Sequence, residues 1–147
     1  MGEWHIPSFE ELSSLLWGQA PALHGLCKPH SALEQAFRDS FLSSKEWFWT
    51  SSIDSADERV KVIDFRDGFC GRASQNAKGL VRLVKVSGQE STWRCGDPAK
   101  LRYKEHTSST VIDNKTGLIW TKNAIGNPVS YQDMLKLDVK SVLKRAA

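Results

Sequence analysis

The hydrophobic period of this chain changes twice, and those changes constrain its fold more than any single motif. Residues 7–17 place Phe9, Leu12, Leu15 and Leu16 at helical spacing behind Ser8 and Glu11. Those two residues can form a capping box that satisfies two orphan N–H groups. Ser31 and Glu34 open a second, shorter helical stripe through Leu33, Ala36, Phe37 and Phe41. From Trp47 the period drops to two. Phe48–Ser51 and Arg59–Phe65 read as strands, Asp67-Gly68 as a hairpin turn, and Phe69–Ala73 as the returning strand. Asn76–Gly79 turns again and Leu80–Val86 reads as a buried strand, which completes an antiparallel meander. Residues 87–98 (SGQESTWRCGDP) are a polar connector. Leu101–Lys104, Thr110–Asp113 and Leu118–Thr121 read as short strands around a turn at Asn114–Gly117. Helical spacing returns over 131–145, started by Ser130 and Asp133, with Leu135, Val139, Val142 and Leu143 on one face.

A chain of 147 residues is one domain long and can bury a core without metal or disulfide staples. Its 40% hydrophobic and 25% charged residues are ordinary for a globular protein. A net charge of +3 is too mild to point to nucleic acid. No run reaches the roughly 18 apolar residues of a membrane span. The start MGEWHIPSFEEL has neither a basic n-region nor an apolar h-region, so a cytoplasmic location is expected. Cys27, Cys70 and Cys95 are too few and too scattered for a disulfide framework, and free thiols are the default reading.

Two sets of segments share a likeness. One is EWHIPSFEELSSLL at 3–16, followed by EWFWTSS, VIDFRDG and LVRLVKV; the other is STVIDNKTGLIWTKN at 109–123, followed by SYQDMLKL. Together they resemble the Lcl C-terminal-domain-like family of bacterial domains, whose function is largely unknown. In that family D-x-x-T-G-L-x-W and a helix come first, and W-R-L-P, W-S-S, D-F-x-D-G and V-R-x-V follow. Here the order is reversed. Residues 1–86 resemble the family's C-terminal part and 99–147 its N-terminal part, as in a circular permutation or two half-repeats. The resemblance implies an α+β, C-type-lectin-like fold, with a short antiparallel sheet flanked by two or three helices. It also implies that helix 131–145 ends near Trp4, or else that the missing halves come from another copy in a swapped homo-oligomer.

The matched residues read as structural. Asp113 caps a turn, Gly117 takes positive φ and Trp120 fills the core. Asp64, Phe65, Asp67 and Gly68 form a hairpin. The chain departs from W-R-L-P at His5 and Ile6, and from W-S-S by the extra Thr50 in Trp49–Ser52. If the family's arginine makes a buried ion pair, either its partner is gone here too or His5 replaces it by a hydrogen bond.

Other residues offer chemistry. His24, Cys27 and His30 have zinc-like spacing, but a closed site needs a fourth ligand, with Cys70, Cys95 or His106 as candidates, and an unliganded loop is the plainer reading. Asp54, Asp57, Glu58, Asp64 and Asp67 are calcium-type oxygen donors, though carboxylates in hairpin loops are usually just solvated, and the lectin sugar-site signatures are absent. Lys136, Lys140 and Lys144, with Arg145, would line one face of the last helix. Such a stripe suits an acidic protein surface or a sulfated glycan. Trp17, Trp47 and Trp93 are the candidate exposed aromatic contacts. No G-x-S-x-G, phosphate-cradling glycine loop or H-E-x-x-H is present. The expectation is therefore a non-catalytic recognition module, without cofactor, that binds and modulates another protein inside the cell. Adhesin-like binding of anionic polysaccharide is the alternative, and an enzyme using Cys or His is the third reading.

Overall fold

The computed structural model describes residues 3–15, 47–64, 69–88 and 102–137. The chain enters through an extended strap at residues 3–8 and a short helix, α1 (Phe9–Ser13). Ser8 is its N-cap and completes the expected capping box. Its hydroxyl accepts from the Glu11 amide at 3.1 Å, and its own amide donates to the Glu11 carboxylate at 2.9 Å. Three antiparallel strands follow: β1 (Phe48–Ile53), β2 (Val60–Asp64) and β3 (Phe69–Ala73), in that spatial order. β4 (Val84–Val86), β5 (Tyr103–Thr107), β6 (Thr110–Asp113) and β7 (Leu118–Thr121) make a second antiparallel sheet, ordered β4-β7-β6-β5. A second helix, α2 (Tyr131–Leu135), starts at the N-cap Ser130.

This architecture corrects the expected α+β, C-type-lectin-like arrangement of one short sheet flanked by two or three helices. The described chain is mostly β, with sheets of three and four strands and two helices of five residues each. The physical reason lies in residues 79–86. Their apolar run was expected to extend the meander as one strand. Instead its backbone groups are divided among several partners. Leu80 bonds to Trp47 and Trp49, each at 2.9 Å, and Gly79 exchanges two bonds with Val129, also at 2.9 Å. The Val81 carbonyl accepts from Ile125 at 2.7 Å, and the Leu83 carbonyl from Thr121 at 3.0 Å. Only Val84–Val86 settles into a ladder, opposite Trp120, Ile119 and Leu118. The segment thus leaves the first sheet and founds the second.

Strand register sorts the core into two clusters, because residues directly opposite share a face. Phe48 lies opposite Ile63, and Ile63 opposite Cys70, on one face of the first sheet. Phe48 and Ile63 join Leu12, Leu15 and the inner residues Val84, Tyr103, Val111 and Trp120 of the second sheet. Trp49, Val60 and Val62 point the other way and pack with Val81, Leu83, Tyr131 and Met134. The Trp49 indole donates to the Val129 carbonyl at 2.7 Å, so this buried ring carries no orphan N–H. α2 therefore lays its apolar side on the sheet of β1–β3. Trp4, Ile6 and Leu137 border this same cluster, bringing the first and last described segments together.

Helix α2 stops inside the predicted span of 131–145, of which residues 138–145 lie outside the described residues. It ends at Leu135, with Lys136 as C-cap and the Leu137 amide bonded to the Met134 carbonyl at 3.1 Å. That i→i−3 bond tightens the final turn and directs Leu137 into the cluster.

Candidate functional site

On the first face of the three-stranded sheet, burial falls off toward β3. Across one row, Phe48 and Ile63 are enclosed while Cys70 is exposed. At that boundary lies an open groove of about 200 Å³ lined by Phe9, Lys61, Cys70, Gly71 and Arg72. α1 supplies the Phe9 ring, fixed by a 2.9 Å bond from its amide to the Ser52 hydroxyl. The Lys61 ammonium stands 5.1 Å from the centre of that ring, a cation–π contact. Lys61 and Arg72 are cross-strand partners and so project on the same side. Gly71, between Cys70 and Arg72, contributes only backbone to the groove lining. Among the described strands, β3 is an edge of its sheet.

The hairpin loop between β1 and β2 orients the cationic wall. Arg72 Nη1 donates to Asp54 at 3.0 Å and also to Asp57. Asp54 and Asp57 in turn accept from the Ala56 and Arg59 amides at 2.9 and 3.0 Å. The Ala56 amide holds the Asp54 carboxyl below its ordinary pKa; desolvation opposes it, and the Arg72 guanidinium and Lys61 add to the lowering. The expected calcium-type donors Asp54 and Asp57 are thus engaged by an arginine. Burial pushes the Cys70 thiol above its ordinary pKa, so at neutral pH it is a thiol and a poor nucleophile.

Several other described ionisable groups are bonded internally. Asp113, fully buried, takes a bidentate grip from Arg102 at 3.0 and 2.9 Å and accepts the Lys115 amide at 2.9 Å. Arg102 also donates to the Ser14 carbonyl at 2.7 Å, fastening the end of α1 to the second sheet. Arg82, 1% exposed, donates to the carbonyls of Thr121 and Lys122 and lies 5.2 Å over the Phe48 ring. His5 Nε2 meets the Glu11 carboxylate at 3.0 Å, and Nδ1 meets the Glu3 carbonyl at 2.9 Å. Partial burial lowers the His5 pKa, but those two acceptors outweigh it and the net shift is upward. Of the two alternatives open at this position, His5 makes a hydrogen bond.

Gly117 has φ of 76° and Trp120 is fully buried, as expected of turn and core residues. Trp47 is half-buried, edge-on to Trp49 with centroids 4.7 Å apart. Lys136 is exposed at the end of α2. Trp17, His24, Cys27, His30, Trp93, Lys140, Lys144 and Arg145 lie outside the described residues, as do the helix expected from Ser31 and the Asp67-Gly68 turn. Among the described residues no group of three or more His, Cys, Asp or Glu is placed to hold a metal. No described helix is long and apolar enough to cross a membrane. Sequence reasoning missed Phe9, Lys61 and Gly71 as groove residues. Their juxtaposition depends on α1 crossing β2, and no spacing signals it. No model of a known protein family matches the chain, and no curated protein or solved structure matches it.

Proposed function

We propose that this protein is a non-catalytic recognition module that binds and modulates another protein in the cytoplasm, using the groove beside β3. One observation carries this reading: the groove adjoins a strand edge and combines an aromatic wall (Phe9) with two cations (Lys61 and Arg72). An extended peptide suits such a place. Main-chain bonds along a strand edge supply affinity, and the neighbouring groove reads alternate side chains. The partner segment is therefore extended, with one apolar side chain against Phe9 and a carboxylate near Lys61. The non-catalytic part is supported by the internal bonding of Arg82, Arg102, Asp113, Asp54 and Asp57 and by the protonated state of Cys70. The likeness to Lcl-type domains in permuted order is supported by the packing of Trp4, Ile6 and Leu137 around one cluster.

Affinity capture from source-cell extract tests the reading. Wild type retains a defined protein, and Lys61→Glu and Cys70→Trp both lose it while keeping wild-type circular dichroism. Capture unaffected by either change contradicts the groove. Retention on heparin that a Lys136, Lys140 and Lys144 triple alanine variant abolishes would favour the polysaccharide reading instead.

A further inference from the structure

The strap at residues 3–8 ties the two sheets together, and His5 sits at its centre. The His5 amide donates to the Val84 carbonyl at 2.9 Å, and the Val84 amide returns the bond at 3.1 Å. Two residues on, the Pro7 carbonyl accepts from Ser51 of β1 at 2.8 Å. Trp4 and Ile6 cover the cluster that holds Trp49, Tyr131 and Met134. A single extended segment thus touches β4, β1 and the surface on which α2 lies.

Both ring nitrogens of His5 face acceptors: the Glu3 carbonyl at Nδ1 and the Glu11 carboxylate at Nε2. An imidazolium donates to both. A neutral imidazole has one N–H, so one of the two acceptors must then face a lone pair. Glu11 is also the capping-box residue of α1, so this contact couples the strap to the start of the helix. The charged groups around His5 come from the strap itself (Glu3), from α1 (Glu11) and from β4. The β4 group is Lys85, whose ammonium lies 5.1 Å from the Trp4 ring.

We propose that His5 is a proton-operated latch that fastens the strap across both sheets, and that its deprotonation favours release of Trp4 and Ile6 from the apolar surface beneath them. The sign follows from the two acceptors. They raise the folded pKa, so the latch is fully closed below the unfolded value of 6.5 and loosens as pH rises through the folded one. His5 is partly exposed, so the strap's opening equilibrium shifts by roughly two- to tenfold, not by orders of magnitude.

Amide hydrogen exchange on the full chain between pH 5.5 and 8.5, expressed as protection factors, tests the latch. The amides of His5, Val84 and Ser51 lose roughly two- to tenfold protection across the His5 titration in wild type. They lose none in His5→Gln or Glu11→Gln. The same samples give the His5 pKa by NMR. A His5 pKa at or below 6.5 overturns the latch, as does pH-independent protection in wild type or a pH-dependent loss that persists in both variants.

Discussion

The indole of Trp47 occupies the space that a side chain on Gly79 would need. A Cβ built on Gly79 would lie 2.2 Å from Trp47 Cζ3 and 2.6 Å from Cε3. The ring cannot move away cheaply, because its edge contact with Trp49 holds it and Gly79 is itself bonded to Val129. Gly79→Ala therefore costs at least the roughly 1–3 kcal/mol typical of overpacking, measured as a lower urea midpoint. Combining it with Trp47→Ala restores part of the loss relative to the sum of the single changes, since the clash then has no second partner.

Arg102 and Asp113 are a buried ion pair, with side chains 6% and 0% exposed. Removing one partner strands the other charge. Arg102→Met or Asp113→Leu each costs about 3–5 kcal/mol in equilibrium unfolding, while the double replacement costs much less than their sum. Arg102→Lys does not rescue, because an ammonium cannot reproduce the bidentate grip and also reach Ser14.

Gly117 closes the β6–β7 turn at a φ of 76°, with its amide on the Asp113 carbonyl at 2.8 Å. Gly117→Ala costs roughly 1–2 kcal/mol from left-handed backbone strain. Gly117→Asn costs less, because asparagine tolerates that region. Thermal unfolding of the two variants gives the order.

Asp54 titrates below its usual value, so its contribution to stability is present above pH 3.8 and disappears as pH falls through the folded pKa. Carbon-detected NMR titration should show Arg72→Ala bringing the pKa only part of the way back, because the Ala56 amide, the largest single cause, remains. Complete restoration in that variant would mean that the arginine dominates.

Local chemistry was legible in the sequence and long-range pairing was not. The Ser8 and Glu11 capping box, strands Phe69–Ala73, Thr110–Asp113 and Leu118–Thr121, and the Gly117 turn are each specified within a few residues, and each lies where its pattern places it. The two-sheet arrangement was missed because residues 79–86 look alike whether they extend the first sheet or start the second. That choice is made by Trp120, Val129 and Ile125, 36 to 50 residues away from their partners Val84, Gly79 and Val81. Arg82 was a usable warning, since an arginine inside an apolar run needs acceptors that a plain central strand does not offer. The groove was invisible for a related reason: Phe9 meets Lys61 across 52 positions of sequence.

A photo-crosslinking amino acid placed at position 70 measures the recognition reading most directly. With the groove as docking site, the residue at 70 crosslinks to one defined protein in source cells, and Lys61→Glu in the same chain removes the adduct. No adduct from position 70, together with a strong one from position 136 at the end of α2, would contradict it.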